Sequence, residues 1–192
     1  MNYGIIIMRA QPFHMGHISV VREILSQNDR ALIVVGSANK SGTKRNPLSI
    51  EDRISIVNEA LKDQNLSDRV LVMPLSDWSM ENAYAYVKEW GCFLYYNVVN
   101  AIRTKEFTIY YNDDKSIVEN WFNETLMPRI TIKNTPRGSI DVSGTQIRDA
   151  LLNPGPGSDD YLKFALSPST YAKKDYIKEV ILNSNDEDFI MK

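Results

Sequence analysis

The pattern of the chain predicts an α/β fold: a Rossmann-like, doubly wound parallel sheet of about five strands, with helices on both faces and a C-terminal helical segment. Three observations carry that expectation. Short continuous apolar runs alternate with segments whose apolar residues recur at helical spacing. Residues 3–35 already read strand–helix–strand, the order a right-handed parallel crossover needs. At 192 residues, 43% hydrophobic and 24% charged, the chain suits one domain with a sizeable core. We expect residues 1–152 to be the Rossmann-like core and 153–192 a helical extension of it.

Each element has its own justification. Tyr3 to Met8 holds three consecutive isoleucines, the mark of a strand buried on both faces. From Gly16 to Ser26 the residues Ile18, Val21, Ile24 and Leu25 form a helical stripe that Asn28 and Asp29 close. Ala31 to Val35 is the second strand, ended by Gly36-Ser37. Ser49 with Asp52 three residues on predicts a capped helix carrying Ile50, Ile54, Val57, Ala60 and Leu61. Val70 to Leu75 is strand three, and a helix follows from about Met80 to Trp90. Cys92 to Arg103 either extends that helix or forms separate pieces. Phe107 to Tyr111 is strand four, Asn112 to Asp114 its exit loop, Lys115 to Phe122 a short helix and Arg129 to Lys133 strand five. Ser143 or Thr145 caps the next helix, Asn153 to Ser158 breaks it, and Tyr161 onward is mostly helical with a frayed acidic tail over Asn183 to Asp188.

Composition narrows the function. A net charge of -2 gives no global basic field, so nucleic acid is not the expected partner and any useful positive charge must be local. The single cysteine, Cys92, excludes an internal disulfide framework and fits a reducing compartment. No run approaches the ~18 apolar residues of a membrane span and no signal peptide is visible, so a cytoplasmic location is expected.

Local positive charge and helix starts do appear together. Beyond the first strand comes Arg9-Ala10-Gln11-Pro12-Phe13-His14-Met15-Gly16-His17, which holds both histidines of the chain. A loop that becomes a helix there exposes free N–H groups and a partial positive charge, so anions are favoured. Gly16 removes a side chain where the backbone must approach a ligand. Alone, one such histidine reads as surface or satisfied core; two within four residues at an anion site point to phosphate. Behind strand two, Gly36-Ser37-Ala38-Asn39 makes a small-residue turn, and Lys44-Arg45 adds charge. Val142-Ser143-Gly144-Thr145-Gln146-Ile147-Arg148 offers hydroxyls and amides at a helix start, with Arg148 one turn in.

These three segments carry a resemblance. His-Met-Gly-His after a first buried strand is similar to the signature of the nucleotidylyltransferase superfamily. The wider run, the Gly-Ser-Ala…Asn-Pro…Asp-Arg block and Ser-Gly-Thr-Gln-Ile-Arg resemble the archaeal-type nicotinamide mononucleotide adenylyltransferases and the transferase domain of bifunctional transferase–Nudix proteins. The resemblance spans roughly residues 3–152. Met8 departs from it, standing where that family usually has glycine; its side chain either crowds a triphosphate or points into the sheet.

The resemblance implies transfer of the adenylyl group of ATP to nicotinamide mononucleotide, giving NAD and pyrophosphate. His14, His17, Arg9, Arg45 and Arg148 would be catalytic. Arg9, Gln11, Pro12, Phe13, His14, Gly16, His17, Ser143, Gly144, Thr145 and Arg148 would bind ATP. Ser37, Asn39, Asp77, Asn82 and Tyr86 would bind the acceptor, Tyr86 standing in for the family's stacking tryptophan with Tyr84 and Trp90 as rivals. Magnesium would come with the triphosphate, held by phosphates and water, and no dedicated protein metal site is expected. Arg53 reads as structural, binding the loop, and Cys92 as a structural thiol. The family commonly oligomerises, and a homo-oligomer is expected. The alternatives are a same-fold transferase with another phosphorylated acceptor and a nucleotide sensor without turnover.

Overall fold

Successive residues of a strand point to opposite faces, and in the first two strands both sets are apolar, so their sheet needs cover on both sides. In the computed structural model, which describes residues 1–77, 87–111, 115–135 and 140–185, that division is clear. Ile6, Ile33 and Val35 enter one apolar cluster; Ile5, Leu32 and Val34 enter the other. The strands are β1 (Tyr3–Met8), β2 (Arg30–Val35), β3 (Val70–Pro74), β4 (Phe107–Tyr111) and β5 (Ile130–Asn134). They pair in parallel in the order β3-β2-β1-β4-β5.

Connectivity decides which helices cover which face. α1 (Met15–Gln27) and α2 (Ile50–Asp63) carry the chain from β1 out to β3 and pack on the first face. α3 (Val87–Ile102) and α4 (Lys115–Glu119) lie between β3 and β5 in the chain and pack on the second. Winding therefore reverses between β1 and β4, and at such a switch point the helix connections diverge and leave a crevice beyond the carboxyl ends of the strands. The helices that follow, α5 (Gly144–Leu152), α6 (Ser158–Ala165), α7 (Pro168–Ala172) and α8 (Lys174–Leu182), return to the first face. No helix of the described residues is long and apolar enough to cross a membrane.

Most expected elements stand within a residue or two of their predicted bounds. The open stretch from Cys92 resolves as a continuation: α3 runs on to Ile102, and Leu94, Tyr95, Val98 and Ile102 form its buried stripe. The helix expected from Met80 falls outside the described residues until Val87, as does the exit loop expected over Asn112 to Asp114. The short helix expected to reach Phe122 ends at Glu119, where Trp121 N–H tightens onto the Val118 carbonyl at 3.1 Å. The sequence predicts a frayed tail from Asn183, and as far as Asn185 the chain is instead held. Asn185 N–H donates to the Gly42 carbonyl at 2.9 Å and its own carbonyl accepts from Lys44 N–H at 2.8 Å, a parallel bridge onto the loop before α2. Residues 186–192 lie outside the described part.

One close approach fixes the second face. A Cβ on Gly91 would stand 1.6 Å from the Trp121 carbonyl oxygen and 2.4 Å from its carbon, both backbone atoms that cannot swing aside. Gly91→Ala should therefore lower stability by about 3 kcal/mol from overpacking, less about 1 kcal/mol for the gain in helix propensity. Gly155→Ala, with nothing within 4 Å among the described residues, should be close to neutral. Urea unfolding of the two variants checks this, and equal midpoints would contradict the packing argument.

Candidate active site

At the carboxyl end of β1 the chain turns on Ala10, which adopts a left-handed φ of 54°. The turn sends Phe13 into the core, fully buried, and delivers His14 as the N-cap of α1. His14 N–H donates to His17 Nδ1 at 3.2 Å. Because that nitrogen accepts, a neutral His17 carries its proton on Nε2, where it remains a donor. The rings of Phe13, His17 and His14 stack in succession, with centroids 5.1 Å and 3.7 Å apart. Burial lowers the His14 pKa to about 4, and burial with the neighbouring His14 holds His17 well below its ordinary value. Both histidines are neutral donors near pH 7; His14 Nδ1 is buried with no hydrogen-bond partner among the described residues.

A second helix start meets the first. Ser143 caps α5, its Oγ accepting from Gln146 N–H while Gln146 Oε1 accepts from Ser143 N–H at 2.8 Å. The Ser143 hydroxyl proton stays available to donate. Two glycines let the helix starts nest. A Cβ on Gly144 would come 3.0 Å from the Gln11 carbonyl, and one on Gly16 would come 3.0 Å from the His14 ring and 3.1 Å from the Val142 carbonyl. Arg148 ties the two segments, with Nη1 on the Gln11 carbonyl at 2.8 Å and Nη2 on Thr145 Oγ1 at 3.3 Å. Burial, then repulsion from Arg9, lowers the Arg148 pKa. Among the described residues no salt bridge engages Arg9 or Arg148, so like charges converge with no carboxylate between them. Two helix N-termini, neutral donors and unneutralised guanidiniums suit a polyanion.

The exit of β2 forms the other wall. Ser37 also has a left-handed φ, 51°, and its Oγ donates to Asp77 Oδ1 at 3.2 Å. Asp77 N–H donates to Asn39 Oδ1 at 3.0 Å, and Lys40 Nζ pairs with Asp77 Oδ2 at 3.0 Å. Below this wall lies Arg53, with no exposed surface, donating to five backbone carbonyls.

A family model described as cytidylyltransferase-like matches residues 9–150. The chain belongs to this family. Among relatives, a nicotinamide-nucleotide adenylyltransferase of Methanococcus aeolicus is 31% identical over 153 residues, 78% of this chain and 77% of that one. Another of that name, from Saccharolobus solfataricus, is 34% identical over 87 residues, 45% of this chain; the chain spans about half that relative's length, 51%. A bifunctional NMN adenylyltransferase/ADP ribose pyrophosphatase from Francisella tularensis shares the fold at TM-score 0.74 and 20% identity, over 94% of this chain and 51% of that one. A second structure of that protein, at TM-score 0.71, is complexed with AMP and a manganese ion.

Within this cytidylyltransferase-like chain, the structure gathers Arg9, His14, Gly16, His17, Ser143, Gly144, Thr145 and Arg148 around the two helix starts. Gln11, Pro12 and Phe13 are buried beside them. The Gln11 amide pairs with the backbone of Leu48 at both ends, as a peptide group would, at 3.0 and 3.2 Å. Arg45 is exposed on a turn that Thr43 and Asn46 close. Ser37, Asn39 and Asp77 form one cluster, while Asn82, Tyr84 and Tyr86 lie outside the described residues. Trp90 packs against the second core and sets its edge on Trp121. Met8 packs against the first core, so its side chain points into the sheet layer. Sequence reasoning missed Lys40, whose pairing with Asp77 spans two strand exits and has no local signal. Among the described residues no group of three or more histidine, cysteine or carboxylate side chains could hold a metal.

The neutral state of His14 has a consequence in acid. Above pH 6.5 the histidine is uncharged folded or unfolded, and its contribution to stability is complete. As pH falls from 6.5 to about 4, the unfolded chain takes up a proton that the buried ring refuses, so stability is lost. At about 1.4 kcal/mol per unit the loss reaches roughly 3 kcal/mol. Urea midpoints measured from pH 7 to 4 should fall less steeply in His14→Gln than in the wild type; parallel slopes would refute the assignment.

Proposed function

We propose that this protein transfers the adenylyl group of ATP to the 5′-phosphate of nicotinamide mononucleotide, releasing NAD and pyrophosphate. One observation supports it most: two helix starts, two neutral stacked histidines and two mutually repelling arginines meet at the switch point of the sheet, the setting a triphosphate needs. The names carried by the Methanococcus aeolicus and Saccharolobus solfataricus relatives point to the same acceptor.

The reaction is a displacement at phosphorus. A 5′-phosphate oxygen of the acceptor bonds to the α-phosphorus, the bond from that phosphorus to its bridging oxygen breaks, and pyrophosphate leaves with the electron pair. Both reactants are anions, so the protein's task is to hold them in line and stabilise charge on the leaving group. In our reading Arg9, Arg45 and Arg148 neutralise the triphosphate, and Ser143, Thr145 and the α5 amides hold the β- and γ-phosphates. His17 Nε2 donates to an oxygen on the α-phosphorus, and His14 donates beside it. The Ser37–Asn39–Asp77 cluster, with Asn82 and Tyr86, receives the acceptor. A divalent ion, magnesium in our reading, comes in with the triphosphate and when bound screens its charge. Histidines, arginines and hydroxyls are poor ligands for such a hard cation, so phosphates and water would hold it.

Pyrophosphate release with ATP and magnesium, measured against four acceptors, tests the proposal. Release with nicotinamide or nicotinic acid mononucleotide, and not with phosphopantetheine or flavin mononucleotide, is expected. Release with one of the latter alone would discard the acceptor assignment, and binding of ATP without release would favour a sensor. His17→Ala should lower kcat on the order of 100-fold, as loss of one transition-state donor does elsewhere. An unchanged kcat in the folded variant would remove His17 from the mechanism.

A further inference from the structure

Arg53 is the largest side chain in the interior that carries a charge, and nothing in the transfer reaction requires it to be there. It has no exposed surface, and no carboxylate forms a salt bridge with it among the described residues. Its five N–H groups go instead to backbone carbonyls on two separate loops. Nη1 donates to Arg9 at 3.2 Å and to Gly36 at 2.8 Å; Nη2 donates to Ser37 at 3.0 Å and to Lys40 at 3.4 Å; Nε donates to Ser49 at 3.3 Å. The Arg9 carbonyl leads directly into left-handed Ala10, and the Gly36 and Ser37 carbonyls flank left-handed Ser37. Each of those conformations is unfavourable for a residue with a side chain, and persists only where the surroundings hold it. Hydrogen bonds from a buried cation are stronger than those between neutral groups and suit that task.

We propose that Arg53 is a positioning residue that couples the two halves of the site, setting the loop that bears Arg9 and leads into His14 and His17 at the start of α1, and the loop that bears Ser37 and Asn39, against one guanidinium. The inference rests on the transfer reading for what the loops bind, and on the hydrogen bonds alone for the coupling. Lysine cannot replace it, because a single ammonium has three donors and no planar fork to span both turns. Burial lowers the Arg53 pKa, while Asp77 first and Glu51 second oppose that; hydrogen bonds from Ser37 to Asp77 and from Asp77 N–H to Asn39 tie the same loop to the exit of β3. Arg53 touches neither reacting group, so its effect on turnover has to pass through both loops together.

Arg53→Ala and Arg53→Lys test this, with amide hydrogen exchange read beside kinetics. Exchange should rise together in residues 9–17 and 36–40 while β4 and α8 keep their protection. At full folding, kcat/KM should fall about 100-fold, the effect of a misplacement near 1 Å. Added guanidinium ion should restore at least tenfold of the loss, and loop protection with it, in Arg53→Ala; methylammonium should restore neither. Should Arg53→Ala fail to fold, Arg53→Lys, which keeps the stem and the charge, carries the exchange and kinetic readings. Loss of protection in one loop only, uniform loss across the sheet, or kcat/KM within threefold of wild type in a folded variant would each overturn the coupling. A wild-type protein that releases no pyrophosphate with any acceptor would sink the transfer reading, and the exchange pattern would then decide the role of Arg53 by itself.

Discussion

Where a parallel sheet ends, neighbouring strands leave side by side, and their last carbonyls face a region with no further strand to donate to them. In this protein the problem is sharpest at β1 and β2, whose exits both turn through left-handed residues that are not glycine. The guanidinium of Arg53 sits beneath both turns and donates to carbonyls on each. A neutral amide could satisfy one turn; only a planar cation with five donors spans two. Desolvating that charge is expensive, and the surrounding carbonyl dipoles compensate it without closing the site with an acid. The neighbouring Asp77 is turned instead to Lys40 and Ser37, above the clamp.

That arrangement has an electrostatic consequence further out. A site that neutralised its own arginines with carboxylates would have little left for a phosphate chain. Here Arg9 and Arg148 repel one another, the histidines are kept uncharged by burial, and the remaining donors are amides and hydroxyls at two helix starts. The free protein therefore carries an unfavourable concentration of positive field, relieved when an anion enters. Stacking of Phe13, His17 and His14 fixes the donors before the ligand arrives, so little ordering remains at the moment of binding.

Much of this was legible in the chain because it is local. Three isoleucines in a row and a helical stripe behind them define β1 and α1, and Ser143 and Thr145 together announce a capped start of α5, which the structure assigns to Ser143. His14 and His17 signal a site because they are the only histidines and sit at a helix start. What stayed hidden is non-local. Nothing near Gln11 indicates that its amide will replace a peptide group for Leu48, 37 residues away. Lys40 looks like a solvated surface residue until Asp77 is folded beside it. The continuation of α3 was ambiguous because Gly91 and Cys92 interrupt the propensity while the contact with Trp121 favours it. Of the aromatics at that spacing, Trp90 is committed to Trp121, while Tyr84 and Tyr86 lie outside the described residues.

The C-terminal extension shows how distance in sequence can still matter to the phosphate side. Lys173 pairs with Glu59 at 2.6 Å, Tyr176 donates to Asp52 at 3.0 Å and Ser169 N–H donates to Asp63 at 2.8 Å, so three points along α2 are held by the helices that follow α5. Beyond α8, Asn185 pairs with the backbone at Gly42 and Lys44. Arg53 lies on α2, and Arg45 lies on the loop that Asn185 clasps. Exposed ion pairs contribute little singly, yet together with the backbone bridge they limit how α2 and its leading loop can move. The last helices therefore hold the helix that carries Arg53 and the loop that carries Arg45.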